Sequence, residues 1–285
     1  PPSSSSSSLP LSKSIILDIS DCGMQPGLQR LGLTACLYWI RTTSIAGFLD
    51  PSLTTRNCKM STTLYQSSSS ENGSPRVLRV LALHGSEGTA QEFPSRLDSI
   101  QSILSKEHDI QLDITTVEGP FAKGSGFSWW TMKDGERSFN ANEYQGFDTA
   151  AGRVLEAWDT QPPFDLCLGH SQGAIMLASL IALGKVPYHP PLGYIFNGVS
   201  FPNPYRKEMA ALKVDKSLPE IPRVLFIMGT NDKITPNETG EELRDGLQNA
   251  GFVVQTIKHP GGHAVPNDKQ PEALIEIAQW ITNTT

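Results

Sequence analysis

The sequence predicts an α/β fold with about six mostly parallel strands and helices on both faces. Short apolar runs rich in β-branched residues alternate with segments whose apolar residues recur at helical spacing. The runs predicted as strands are Val77–Leu83, Ile110–Val117, Phe164–Leu168, Leu192–Phe196, Val224–Met228 and Phe252–Ile257. Because helical segments separate the strands, right-handed crossovers align them in parallel and cover both faces of the sheet.

The segments between the strands predict five helices and two long connections. In the first helical segment Phe93, Leu97, Ile100 and Leu104 recur at the spacing of one helical face. The other predicted helices are 144–158, 172–183, 237–249 and 271–281. The connection at 121–140 is rich in glycine and aromatic residues, and the one at 199–222 is rich in proline.

The first 75 residues differ from the rest and predict an N-terminal extension before a domain at 76–285. Seventeen of them are serine, with blocks at Ser3–Ser8 and Ser67–Ser70. Such blocks have little apolar surface to bury, so disorder is expected. Two alternatives stay open: a transit peptide over residues 1–59 that directs the protein to a plastid or mitochondrion, and translated upstream sequence before Met60. Without targeting, the expected location is the cytoplasm.

Composition and charge exclude several classes of partner. The formal net charge is −6 and no basic stripe is visible, which argues against nucleic acid. No apolar run reaches the length of about 18 residues that a membrane span needs. No Cys/His spacing indicates zinc, and neither a metal nor a cofactor is expected. The pattern is that of a soluble, mildly acidic α/β-type protein.

The pentapeptide Gly169-His170-Ser171-Gln172-Gly173 is the sharpest chemical signal in the chain. It matches the G-x-S-x-G nucleophile elbow, follows an apolar strand and precedes a helix-forming run rich in small residues. In such a turn the serine oxygen is exposed above the sheet. The pattern predicts Ser171 as a nucleophile, against the alternative of an ordinary turn with a capping serine.

A serine nucleophile needs an acid and a base, and in this arrangement they follow later strands in the chain order Ser, acid, His. Asp232 follows the strand at 224–228 and is the predicted acid, although it also fits an ordinary turn or helix-cap aspartate. His263 follows the last strand in a glycine-rich turn and is the predicted base. His259 is the alternative, but it stands immediately at the strand end.

Two further groups of residues are predicted to complete the site. The amides of Gln172 and of Ser86, in the loop after the first strand, are the candidates for an oxyanion hole. Phe127, Trp129 and Trp130 are candidates for lining an acyl pocket or forming a flap, with a hydrophobic cluster under a long loop as the alternative. The proline-rich connection is a second candidate lid.

These residues resemble the FSH serine hydrolases of the α/β-hydrolase fold over about residues 78–281. The motifs that carry the resemblance are Leu83-His84-Gly85, Gly119-Pro120, Tyr144 with Gly146, Pro163-Phe164-Asp165 running into Gly169–Ala174, Gly229–Asp232 and Gly262-His263. The resemblance implies hydrolysis of carboxylic esters or thioesters of acyl substrates; some fungal members release polyketide acyl chains. One departure is Ser86-Glu87-Gly88, where the family usually carries a bulky residue and an Asn or Gln.

The sequence therefore predicts a serine esterase or thioesterase that works through a Ser171 acyl-enzyme on a small-molecule substrate. An acyltransferase or peptidase with the same triad is the first alternative. A non-catalytic binding protein on this fold is the second, but it has little need for all three of Ser171, Asp232 and His263.

We expect a chain that starts at Gly73 to unfold at the same temperature as the full chain and to hydrolyse esters at the same rate. The reason is that the first predicted strand begins at Val77, beyond the serine blocks. Thermal unfolding and ester turnover of the two chains test this. A large loss in either would show that residues 1–72 contribute to the fold.

Overall fold

The computed structural model of the chain describes residues 74–161 and 163–283. The predictions for the serine-rich extension concern residues outside this part, apart from Ser74 and Pro75. Within the described residues no helix has the length and apolar character that crossing a membrane requires.

Six parallel strands form the central sheet, in the spatial order β2-β1-β5-β6-β7-β8. Their bounds are β1 Arg76–Leu83, β2 Ile110–Val117, β5 Leu166–His170, β6 Tyr194–Asn197, β7 Arg223–Gly229 and β8 Val253–His259. Two short strands, β3 Phe121–Lys123 and β4 Gly126–Ser128, pair as an antiparallel hairpin. The predicted α/β fold is confirmed, and all six predicted strands are present.

Helices cover both faces of this sheet. They are α1 Asp98–His108, α2 Phe147–Thr160, α3 Gln172–Ala182, α4 Arg206–Ala211, α5 Asn237–Ala250 and α6 Pro271–Thr282. The first predicted helix is divided, because Phe93–Leu97, with Pro94 in its first turn, forms a 3-10 helix before α1. Helix α2 begins at Phe147, since Gly146 takes a left-handed conformation with φ 81°.

The alternation of side chains along the strands separates two hydrophobic layers. In β1, Val80 and Ala82 face the layer that contains α1 and α6. Leu81 and Leu83 face the opposite layer, which contains α2, α3 and α5. Every residue of α3 from Gln172 to Ala182 is buried. Apart from Gln172 and Ser179 its residues are apolar or glycine, as expected for a helix enclosed by protein.

The order of the strands locates a crevice at the carboxyl ends of β1 and β5. From β1 the chain moves outward to β2, then returns to β5 on the other side of β1. The crossovers from β1 and from β5 leave in opposite directions, so a gap opens between the loops that follow these two strands. In open α/β sheets this switch point is where ligands bind.

We predict that Gly173→Ala destabilises the protein, because a Cβ at this position would lie 2.2 Å from the carbonyl oxygen of Leu83. Overpacking against a backbone atom that cannot move aside should cost at least about 2 kcal/mol of unfolding free energy. Urea denaturation measures the change.

Gly152→Ala is the matched control. A Cβ on Gly152, which lies in α2, meets nothing within 4 Å. The same substitution should there stabilise the protein by about 0.5–1 kcal/mol, since alanine favours helix. Equal effects of the two substitutions would contradict the packing argument.

Candidate active site

Ser171 forms a strained turn between β5 and α3. Its backbone has φ 52° and ψ −120°, a conformation that a residue with a side chain rarely adopts. The strand before it and the helix after it fix this geometry, because Gly173 lets α3 begin in direct contact with the end of β1. Ser171 also lines a cleft of about 420 Å³ above the carboxyl ends of the strands.

Asp232 and His263 are joined by a hydrogen bond. Nδ1 of His263 donates to Oδ2 of Asp232 at 2.7 Å, and the aspartate side chain is only 2% exposed. The other carboxylate oxygen, Oδ1, accepts the amides of Ile234 at 2.8 Å and Thr235 at 3.0 Å. Asp232 is thus a turn aspartate and a histidine partner at once, with one oxygen for each task.

The arrangement leaves the second ring nitrogen of His263 available. Since Nδ1 carries the proton that is donated to Asp232, Nε2 has a free lone pair. This Nε2 is buried and has no hydrogen-bond partner among the described residues. His263 lines the same cleft as Ser171. Gly198 backs the imidazole closely, because a Cβ there would lie 2.9 Å from ring atoms of His263.

His259 takes a different place. It ends β8, is buried, and its Nδ1 accepts the amide of Gly261 at 3.1 Å. The lining of the cleft does not include it. Its contact therefore serves the turn that leads to His263.

The two predicted oxyanion donors lie close to the nucleophile. A Cβ on Gly85 would be 3.1 Å from Cβ of Ser171, so the loop after β1 passes directly beside the serine. The amide of Ser86, next in this loop, donates to no acceptor in the described residues. Gln172 is the first residue of α3, and first-turn amides have no acceptor within their own helix.

The side chain of Gln172 links the nucleophile turn to the β3–β4 hairpin. Its Oε1 accepts the amide of Trp129 at 3.1 Å, and the indole Nε1 of Trp129 donates to the carbonyl of His84 at 2.7 Å. In the same region the backbones of Phe127 and Gly88 form an isolated antiparallel β-bridge. The hairpin thus fixes the loop that carries Ser86.

The aromatic residues predicted to line an acyl pocket do not line the cleft. Trp129 and Trp130 are 0% and 1% exposed and belong to the hydrophobic core, which is the alternative that the sequence left open. Phe127 pairs with the loop after β1 and is also absent from the cleft lining. The physical reason is that the chain directly after the hairpin turns both tryptophans inward, where Trp130 stacks on Tyr144 at 4.2 Å between ring centroids.

Two polar residues beside the site were not predicted, His170 and Asn197. Nδ2 of Asn197 donates to Nδ1 of His170 at 2.9 Å and to the backbone carbonyl of His263 at 3.3 Å. Asn197 ends β6, so a search for polar residues at each strand end would have found it. Burial lowers the pKa of His170 to about 3, and the nearby imidazole of His263 and guanidinium of Arg96 act in the same direction.

Comparison with known proteins identifies the family. A sequence model described as serine hydrolase (FSH1) matches residues 74–273. The chain belongs to this serine hydrolase family. Esterase CG5412 of Drosophila melanogaster is 30% identical over 217 residues, which are 71% of this chain and 74% of the relative. Human esterase OVCA2 is 27% identical over 213 residues, 67% of this chain and 90% of the relative.

Solved structures confirm that the hydrolase has the α/β-hydrolase fold. Esterase PE8 superposes with a TM-score of 0.54 at 19% identity and covers 75% of this chain and 94% of its own. Acyl-protein thioesterase 2 of Zea mays gives 0.51 at 19% identity and covers 74% and 95%. The family makes the protein an enzyme of the serine hydrolase class, and the two relatives are named esterases.

We predict that His170→Gln makes the stability of the hydrolase less sensitive to acid. A histidine that is neutral in the fold but titrates near about 6.5 when unfolded binds a proton preferentially in the unfolded state. Its contribution is complete above about pH 6.5 and is lost as the pH falls toward about 3, by about 1.4 kcal/mol per pH unit.

Urea denaturation at several pH values between 4 and 6.5 measures this slope. The slope of unfolding free energy against pH should be smaller in the variant, by an amount that corresponds to close to one bound proton. Identical slopes in the two proteins would show that His170 is not held neutral by burial.

Proposed function

We propose that the hydrolase cleaves carboxylic esters or thioesters of acyl substrates through an acyl-enzyme on Ser171, with His263 as the base and Asp232 as its partner. One observation carries this proposal. The Nδ1 of His263 is hydrogen-bonded to Asp232 at 2.7 Å, its Nε2 has no partner among residues 74–161 and 163–283, and its ring lines the cleft that also holds Ser171.

In the first half of the reaction Ser171 Oγ attacks the carbonyl carbon and its proton passes to Nε2 of His263. The carbonyl oxygen becomes an oxyanion, for which the amides of Gln172 and Ser86 are the donors. When the tetrahedral intermediate collapses, the bond to the leaving oxygen or sulfur breaks. The leaving group takes the proton from His263 and departs as alcohol or thiol, and the acyl group stays on Ser171.

In the second half a water molecule repeats the sequence. His263 takes a proton from the water as its oxygen attacks the acyl-enzyme, and then returns the proton to Ser171 Oγ as the carboxylic acid is released. No cofactor takes part in either half. Asp232 keeps the histidine in one tautomer, and the amides of Ile234 and Thr235 hold the carboxylate in that orientation.

Two alternative enzymes would use the same three residues. An acyltransferase would pass the acyl group to an added alcohol or amine, which would then divert the product from the free acid. A peptidase would break an amide bond and release an amine, with water still receiving the acyl group. The names of the relatives, esterases in the fly and in man, favour transfer to water. A protein that only binds would not need a histidine with a free Nε2 beside a strained serine.

We expect a fluorophosphonate probe to label the hydrolase at Ser171 alone. Ser171→Ala should abolish labelling and lower kcat/KM for p-nitrophenyl acetate by at least about 10³-fold, because only this oxygen becomes acylated. Mass spectrometry of the labelled peptide and steady-state kinetics test both statements. Labelling at another serine would overturn the assignment.

The two histidines provide the matched comparison within this experiment. His263→Ala should also abolish labelling, whereas His259→Ala should keep kcat/KM within about tenfold, since a turn contact contributes at most about 1.4 kcal/mol to the barrier. If His259→Ala is the more damaging change, His263 is not the base.

A further inference from the structure

The cleft around Ser171 is unusually polar for a site that binds acyl substrates. Its lining includes only two large apolar side chains, Phe93 and Ile234. Small-molecule sites are normally lined predominantly by hydrophobic and aromatic groups. A long alkyl chain placed here would lie against charged and hydroxylic groups and would gain little from leaving water. The lining therefore favours a substrate with a polar or charged group.

The charge of the lining is positive. Arg96, Lys123 and Arg137 line the cleft, against the single carboxylate of Glu87. This excess is local, because the chain as a whole carries a formal charge of −6. A cleft of one sign attracts ligands of the opposite sign and raises their local concentration.

Two of these cations have no partner in the part of the chain that the structure describes. Lys123 lies 3.7 Å from Glu87 and donates to Oγ of Ser86 at 3.0 Å. The guanidinium groups of Arg96 and Arg137, in contrast, form no ion pair or hydrogen bond with the described residues. Their donors are therefore available to a ligand. Guanidinium groups match the geometry of carboxylate and phosphate oxygens in pairs.

Arg96 is also close to the reacting groups. It belongs to the 3-10 helix Phe93–Leu97, whose Phe93 stacks on His170 with ring centroids 6.3 Å apart. His170 directly precedes Ser171. The pKa of His170 is lowered first by burial and further by the neighbouring His263 ring and Arg96 guanidinium, so the field of Arg96 reaches the turn that contains Ser171.

We propose that the hydrolase prefers esters or thioesters that carry an anionic group, a carboxylate or a phosphate, and that Arg96 and Arg137 bind this group. The inference rests on the proposed function, since it concerns the substrate of the same cleft. It predicts that long, uncharged acyl chains are poorer substrates than anionic ones.

A pair of substrates of equal shape tests the carboxylate. Mono-p-nitrophenyl glutarate carries a terminal carboxylate, and the p-nitrophenyl ester of glutaramic acid carries a neutral amide in its place. We expect kcat/KM of the wild-type enzyme to be at least about tenfold higher for the glutarate. This preference should shrink as salt rises, since about 0.15 M salt screens charges beyond roughly 8 Å.

A second pair tests the phosphate on the leaving group. Here 1-acetylglycerol 3-phosphate is compared with 1-acetylglycerol. A preference for the glutarate alone assigns the anion to the acyl part, and a preference for the phosphate alone assigns it to the alcohol part. A preference in either pair or in both supports the proposal. Equal kcat/KM within both pairs overturns it.

Variants show which residues cause the preference. R96Q/R137Q should bring the ratio within each preferred pair close to one, mainly by lowering kcat/KM of the anionic member. Both side chains are exposed, so the fold should persist, and the single variants R96Q and R137Q provide a second test. The control is R76Q, since Arg76 is an exposed arginine at the opposite end of β1. It should keep the wild-type ratio; a ratio that survives in R96Q/R137Q overturns the assignment.

Fluorophosphonate labelling of the same samples separates the two proposals. An enzyme that is labelled at Ser171 and hydrolyses the neutral esters as fast as the anionic ones contradicts only the anionic preference. An enzyme that is not labelled and hydrolyses no ester contradicts the proposed function itself.

Discussion

The contact between helix α3 and strand β1 is the constraint on which the rest of the site depends. The helix can begin directly above the end of β1 only because Gly173 has no side chain to meet the carbonyl of Leu83. The chain must then leave β5 and enter α3 within one residue, Ser171. A strained backbone of this kind costs on the order of 1–3 kcal/mol and persists only where surrounding contacts fix it. The buried faces of α3 on the sheet supply those contacts.

The loops around Ser171 are joined by side-chain hydrogen bonds between segments that follow different strands. Gln172 connects the start of α3 to the hairpin, Asn197 connects the nucleophile turn to the loop of His263, and Asp232 connects the end of β7 to the same histidine. Each of these polar groups is buried or nearly so, and a buried hydrogen-bonding group is costly to leave unpaired. The network therefore restricts the loops to one relative arrangement, which a proton transfer between Ser171 and His263 requires.

The sequence predicted what depends on local pattern and missed what depends on register. Strands buried on both faces read as continuous apolar runs, so Val224–Met228 was recognised within the observed Arg223–Gly229. The hairpin strands, with three residues each, are too short for any periodicity. His170 and Asn197 are paired residues of β5 and β6, 27 positions apart, and only the strand order brings them together.

For the aromatic residues, the sequence likewise does not predict the direction in which the side chains point. Composition indicates that Trp129 and Trp130 form an apolar group, but not whether this group faces the core or the cleft. The contact that fixes the side chain joins the indole Nε1 of Trp129 to the carbonyl of His84, 45 positions away. It holds the indole in the core.

The hairpin therefore serves two separate purposes. Its buried end, through the indole of Trp129 and the carbonyl of His84, holds the loop that carries Ser86. Its exposed end places Lys123 at the mouth of the cleft, in contact with Ser86 Oγ. The nucleophile turn depends on a different contact, that of Gly173 with β1. Residues at the exposed end of the hairpin can therefore change the charge that a substrate meets while the geometry of Ser171, Asp232 and His263 stays the same. The proposed specificity and the geometry of the candidate catalytic residues thus depend on different parts of the chain, and the polar cleft is compatible with an aromatic core directly beneath it.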